Sequence, residues 1–329
     1  MTARCLTAGK WCSMNRLKTV LGSIELDNPV LCTSGCFGYG YESVRFTDVS
    51  KIGAVSTKTV LPNLKTGNPP PRIHEVPAAV LTSIGLQNPG FKAFMRDVYP
   101  KTCEVLRPGQ RFISVAGDSP EEYMQITAEL SDMLKPGEIA AIEVNVACPN
   151  VSCGGASLSK FPDTLNKLIR DIVDRVAFPV VVKFTTMFDN YCDAAKAIED
   201  GGAQAVYTSN TPLGMAIDIE RGLPVMYRMK APISGPAIRP LGVGITWDIY
   251  KAIKIPLIAS GGIACWQDAL EYMMAGATAI GIGCASFVEP NKAVEVIDGL
   301  AAYAEEKGLA NINEIVGLAH RNVEAQDRK

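Results

Sequence analysis

Glu143-Val144-Asn145-Val146-Ala147-Cys148-Pro149-Asn150 closes an apolar run that begins at Ala140. Amides set so deep in a hydrophobic segment are expensive unless something polar needs them. The stretch reads as a buried strand over Ala141–Val146 that delivers a thiol and two carboxamides to a pocket, with Pro149 ending it. Seven more short runs share its β-branched, nearly continuous hydrophobicity: Pro29–Ser34, Ala54–Thr59, Phe112–Gly117, Pro179–Phe184, Ala205–Asn210, Pro256–Gly261 and Ala279–Cys284. Such runs suit parallel strands covered on both faces.

Helical spacing appears between them. From Pro162 to Val176 the apolar residues Leu165, Leu168, Ile169, Ile172 and Val173 share a face, with Lys167, Arg170, Asp171 and Asp174 outside it. Cys192–Asp200 is stopped by Gly201-Gly202, and Gln267–Ala275 by Gly276. Eight β/α units in about 300 residues predict an α/β fold, a closed (β/α)8 TIM barrel. A doubly wound open sheet is the alternative, because alternation alone does not prove closure.

The chain has 329 residues, 47% apolar and 20% charged, with a formal net charge of −2. That composition suits one globular domain and carries no basic footprint for nucleic acid or anionic lipid. The longest mostly apolar run, Ala275 to Val288, has fourteen residues and three glycines, too short to span a bilayer. Residues 1–14 lack the apolar centre of a signal peptide and read as a loose leader, with Met14 an alternative start, ahead of a single domain over 15–329. Ten cysteines without a compact secreted framework point to free thiols and a cytoplasmic setting. No C-x-x-C pair occurs and the two histidines are isolated, so no protein-bound metal is expected.

The strand ends carry the chemistry. Ser34-Gly35, Lys58-Thr59, Asn145, Lys183 and Asn210-Thr211 gather polar groups at one end of otherwise apolar runs. Ser260-Gly261-Gly262 and Gly283-Cys284 bring glycines whose amides can approach a phosphate, the usual place for one in a barrel. Two long connections, strand two to three and strand six to seven, are expected to lie over that same end. The mouth suits a phosphate-anchored cofactor beside a small polar substrate. FMN fits, since Lys183 could stabilise the anion of a flavin that has accepted hydride.

At these residues the chain resembles the class 1 dihydroorotate dehydrogenases. The matching stretches are Ser34 to Gly40, Lys58-Thr59, Gly67 to Arg72, Ile84 to Gly90, Asn145 to Asn150, Lys183, Asn210-Thr211, Ser234 to Pro240, Gly261-Gly262 and Gly283. They run in order from about residue 16 to residue 290, and Ser34-Gly35-Cys36-Phe37-Gly38 with Gly85-Leu86-Gln87-Asn88-Pro89-Gly90 is most similar to class 1B. The resemblance implies oxidation of dihydroorotate to orotate in pyrimidine biosynthesis, with Cys148 taking the proton and FMN the hydride. Substrate contacts would come from Lys58, Thr82, Gly85, Leu86, Asn145, Asn150, Asn210 and Thr211. FMN would be held by Ser34, Gly35, Lys58, Thr59, Ser114, Asn145, Lys183, Ser234, Gly235, Gly261, Gly262, Gly283 and Cys284. It also implies a homodimer, and a heterotetramer with an iron–sulfur/FAD electron-transfer subunit.

Four departures alter the substrate side, one of them Ala231-Pro232 before Ile233, where the family has a glycine pair. Thr82 stands where the family has asparagine, Ala147 where it has serine, and Gly154 to Ser159 differs from the family's loop after Asn150. They leave open a paralogous FMN-dependent enzyme acting on another pyrimidine or activated double bond. Cys153, in the same loop, competes with Cys148 for the role of base.

Overall fold

Alternation along the strands divides a closed barrel into an inner and an outer surface. The structure is a computed structural model and describes residues 16–147 and 155–327. Its eight parallel strands are β1 (Val30–Cys32), β2 (Ala54–Ser56), β3 (Arg111–Val115), β4 (Ala141–Val146), β5 (Val180–Thr185), β6 (Ala205–Ser209), β7 (Leu257–Ser260) and β8 (Ala279–Ile282). They pair in the order β6-β7-β8-β1-β2-β3-β4-β5, and β5 returns to β6. Closure excludes the open sheet. The expected β4 is matched at both ends; the other strands stop one to three residues short of the expected carboxyl ends, or, for β5, run one beyond. Asn145, Lys183 and Ser260 therefore lie in the last part of their strands, and Ser34, Gly35, Lys58, Thr59, Asn210, Thr211, Gly261, Gly262, Gly283 and Cys284 lie just beyond theirs, in the turns that leave the barrel.

Outward residues Ile142, Val144 and Val146, with Ile113, Val115, Val180, Val182, Phe184 and Val206, form one side of a large hydrophobic layer. Its other side comes from helices α1 (Pro120–Met133), α2 (Pro162–Arg175) and α3 (Tyr191–Asp200). From α2 the same Leu165, Leu168, Ile169 and Ile172 are buried. After β6, β7 and β8 come α4 (Arg239–Ala252), α5 (Trp266–Met274) and α6 (Lys292–Glu306), and the crossing from β2 to β3 carries the short helix Tyr99–Val105. Crossing β1 to β2 has no α-helix, only short 3-10 turns at Tyr41–Ser43 and Val49–Lys51.

A hairpin precedes the barrel, Thr19–Leu21 paired with Ile24–Leu26. Leu21, Ile24 and Leu26 pack with Leu31, Ala54, Phe112, Ala141, Val181, Ala205, Ile258 and Ala279, the inward residues nearest the strand starts. That end of the barrel is thereby plugged with apolar side chains.

The long connections hold structure of their own, against the expectation of loops. Ile73–Val76 and Ala79–Thr82 form a hairpin, and Ala231–Ser234 from the other connection pairs with it through Ile233 opposite Leu81 and Ser234 opposite Val80. With Leu213–Gly214 they make one four-stranded antiparallel sheet, so the two excursions cap the rim as a unit.

Candidate active site

Two residues further along each strand, the barrel interior turns polar. Inward from β3, β4 and β5 come Ser114, Glu143, Asn145 and Lys183; Tyr207 and Ser260 follow from β6 and β7, all buried. Pairing sets Ser114 beside Glu143, Asn145 beside Lys183, and Lys183 beside Tyr207. The Lys183 ammonium donates to Ser34 Oγ at 3.0 Å and lies 4.9 Å from the centre of the Tyr207 ring. Among the described residues no carboxylate is within ion-pair distance of it. A buried cation held, among the described residues, by a hydroxyl and a ring face is well placed to meet an anion.

Thr59, Ser114 and Asn145 meet directly. Asn145 Nδ2 donates to Thr59 Oγ1 at 2.9 Å, and Thr59 Oγ1 lies 2.9 Å from Ser114 Oγ. The carbonyl of Asn145 accepts from the phenol of Tyr123 at 2.8 Å, and its Oδ1 from Ala147 N at 3.1 Å. Lys58 enters the rim from the next turn. Its Nζ would be 3.5 Å from a Cβ on Gly35, which has φ +88°, and its backbone N donates to Gly38 O at 2.7 Å.

Across the mouth, Asn210 is locked by three bonds. Its Oδ1 accepts from Thr186 Oγ1 at 2.5 Å, and its Nδ2 donates to Ser260 O at 2.8 Å and to Thr208 Oγ1 at 3.3 Å. Tyr272, kept a neutral phenol by burial, donates to Gly261 O at 2.6 Å. Gly262 has φ +74°, and a Cβ there would stand 2.7 Å from Arg239 N and 2.8 Å from Gly235 O. Glycine is needed so that the loop carrying Ser234 and Gly235 can seat against β7. Arg239 in turn pairs with the buried carboxylate of Asp268, which also accepts from Ala264 N and Cys265 N.

A cavity of about 570 Å³ opens beside these turns, bordered by Gly235, Gly262, Ile263, Cys284 and Ala285 and by Ala79 and Val80 of the cap. At Gly283 a Cβ would make only ordinary contact, 3.4 Å from Thr33 Oγ1, so protein packing does not demand glycine there and the space suits a close-approaching ligand. Burial, with the Cys36 thiol nearby, pushes the Cys284 thiol up to about 11. It stays uncharged at neutral pH and does not repel an anion.

The expected residues thus fall into three contacting groups around one rim: Ser34, Gly35, Lys58 and Lys183; Thr59, Ser114 and Asn145; and Asn210, Gly235, Gly261 and Gly262. Ser234 and Thr211 stand half-buried beside the third. Thr82 belongs to the cap, and Gly85 and Leu86 follow it in the chain. Thr82 pairs with Ile73, and a Cβ on Gly85 would collide with Asn68. Leu86, at φ +53°, is buried in the hydrophobic layer outside the barrel. Cys148, Asn150 and Cys153 lie outside the described residues, as does the leader 1–14. Among the described residues no cluster of His, Cys, Asp or Glu is arranged to hold a metal, and no helix is long and apolar enough to cross a membrane.

Sequence reasoning missed Glu143, Tyr207 and Thr186. A carboxylate inside the run Ala140–Val146 was the available signal for the first; a tyrosine or threonine in a strand gives none.

Residues 16–303 match the dihydroorotate dehydrogenase family. The chain belongs to that family. Three relatives are each named dihydroorotate dehydrogenase B (NAD(+)), catalytic subunit. That of Desulforudis audaxviator (strain MP104C) is 39% identical over 301 residues, 92% of this chain and 96% of that protein. That of Thermoanaerobacter pseudethanolicus is 39% identical over 303 residues, 92% and 98%. That of Bacteroides fragilis (strain ATCC 25285) is 36% identical over 304 residues, 92% and 99%. A solved structure, the dihydroorotate dehydrogenase of Eimeria tenella in complex with ferulenol, shares the fold with a TM-score of 0.75 at 20% identity, covering 93% of this chain and 89% of that one. The expected class 1B likeness agrees with the names of the relatives, and the chain is an oxidoreductase of the dihydroorotate dehydrogenase family.

Proposed function

We propose that this dihydroorotate dehydrogenase family member is the catalytic subunit of a B-type enzyme, oxidising dihydroorotate to orotate with FMN. The observation that carries the reading is the buried Lys183 ammonium, without a carboxylate partner among the described residues, one strand from Asn145 and facing Ser34 across the mouth. FMN would be held by the turn glycines Gly261, Gly262 and Gly283, with Gly235 and Cys284 at its phosphate, by Ser34, Gly35, Thr59 and Ser114, and by Lys183 and Lys58 at the pyrimidine edge of its ring. When bound, it supplies a two-electron acceptor for the hydride leaving C6 of the substrate.

The chain's own groups do the rest. Asn145, Asn150 and Asn210 hydrogen-bond the pyrimidine, and the locked rotamer of Asn210 means that little side-chain freedom is lost on binding. Lys58, Thr82, Thr211 and Gly85 would bound the same pocket, with Leu86, whose side chain is buried in the layer outside the barrel, contributing only its backbone. Cys148, two positions beyond β4, takes the proton from C5. A free thiol titrates near about 8.5, so turnover should rise with pH toward that range or be helped by the Lys58 cation. The names of the relatives, each a catalytic subunit of an NAD(+) enzyme, support a partner subunit for this chain. We propose further that this subunit carries an iron–sulfur centre and FAD, that two copies of this chain join it, and that the assembly works in the cytoplasm.

Aerobically purified protein should be yellow, release FMN on denaturation, and shift its visible spectrum on adding orotate. A colourless protein without flavin contradicts the proposal. Cys148→Ser should slow flavin reduction by dihydroorotate by about 100-fold or more; near-normal reduction transfers the role to Cys153. Thr82 and Ala147 favour a second reading, a paralogue acting on another pyrimidine. Retained flavin with no spectral response to millimolar orotate selects it.

A further inference from the structure

Glu143 has no part in the account so far, yet it is fully buried in the barrel interior, one inward position below Asn145. An interior carboxylate is costly unless it is hydrogen-bonded, and this one is bonded on one side only. Ser114 Oγ donates to its Oε1 at 2.7 Å, while Oε2 has no partner among the described residues.

We propose that Glu143 is a positioning residue that sets the direction of a hydrogen-bond chain ending on Asn145, and so presents that amide to the pyrimidine in one orientation. The inference rests on the reading of Asn145 as a substrate contact. Its argument is one of proton counting. A serine hydroxyl carries a single proton. Since Ser114 gives its proton to Glu143, the 2.9 Å contact between Thr59 and Ser114 must run from the Thr59 hydroxyl to the Ser114 lone pair. Thr59 then has only lone pairs left for Asn145, whose Nδ2 donates to it at 2.9 Å. One amide proton of Asn145 is thereby committed downward, its Oδ1 is turned to Ala147 N, and the remaining N–H is left for ligand.

An acceptor is required at the base of the chain, and a hydroxyl there could reverse it. Removing that acceptor lets the Ser114 proton turn back on Thr59 and the Thr59 proton point at Asn145, where two donors would meet. The property needed is hydrogen-bond acceptance rather than negative charge, since a glutamine carbonyl can occupy the place of Oε1.

The test compares holoenzyme variants by three readouts: orotate affinity by calorimetry, flavin content, and melting temperature. Glu143→Leu should weaken orotate binding about 10- to 100-fold, the range for a lost and misdirected hydrogen bond, with flavin retained. Glu143→Gln should stay within about threefold of wild type. Equal losses in the two variants would make charge the cause and overturn the proposal, as would orotate affinity within twofold of wild type in Glu143→Leu. Should Glu143→Leu fail to fold, Thr59→Val cuts the same chain one link nearer Asn145 and must give the same loss; unchanged affinity there overturns the proposal too. Wild-type protein that holds flavin but binds no orotate overturns the functional reading beneath the inference, a result no Glu143 variant can mimic.

Discussion

The two halves of the barrel interior are built by the same eight strands, two residues apart, and do opposite things. Near the strand starts, Leu31, Phe112, Val181 and Ile258 meet the plug of Leu21, Ile24 and Leu26 in a layer without charge. At the rim, Ser114, Glu143, Asn145 and Lys183 bring a carboxylate, an amide and an ammonium into the same enclosure. Burying apolar side chains stabilises by about 1.5–3 kcal/mol each, whereas buried charges and amides at best break even. The lower layer holds the barrel closed; the upper layer draws on that stability to keep polar groups fixed in a dry site, where their electrostatic effect on a ligand is greatest.

Substitution should separate the halves. Phe112→Ala, in the plugged layer, is expected to cost about 3–5 kcal/mol of folding stability, read by denaturant unfolding, while activity per folded molecule changes by less than about twofold. Lys183→Ala, in the polar layer, should do the reverse. Flavin reduction by dihydroorotate falls about 100-fold or more in anaerobic stopped flow, with little loss of melting temperature. A large loss of stability in Lys183→Ala would erase the distinction between the layers.

The smallest effect sharpens the boundary of the polar half. With its thiol pushed up to about 11 by burial, Cys284 is protonated below that pH and its thiolate fraction grows tenfold per pH unit up to it. Alkylation at pH 8 should run roughly 100-fold slower than for an ordinary thiol and accelerate with pH, as followed by peptide mass spectrometry. Rapid alkylation at neutral pH would mean that this end of the cavity is wetter than its packing indicates.

Much of this division could be read from the chain. Near-continuous apolar runs gave all eight strands, and polar residues at their ends gave the rim, because a lysine after three valines or an asparagine between two has no cheap structural use. Closure was legible from the count of eight β/α units and not from their alternation, which also describes an open sheet. Nor was the four-stranded cap: Ile73–Val76 and Ala231–Ser234 are four residues each and sit among prolines and glycines, and their pairing joins segments about 150 residues apart. Glu143 was visible as an anomaly in an apolar run, but its bond to Ser114 depends on the register of β3 against β4, which no local pattern encodes.

The most direct measurement is an anaerobic titration of the purified protein with dihydroorotate while the visible spectrum is followed. The account predicts a flavin spectrum that bleaches in proportion to added dihydroorotate and forms one orotate per flavin reduced. A flavin that stays oxidised in excess dihydroorotate, or protein that carries no flavin, would contradict it.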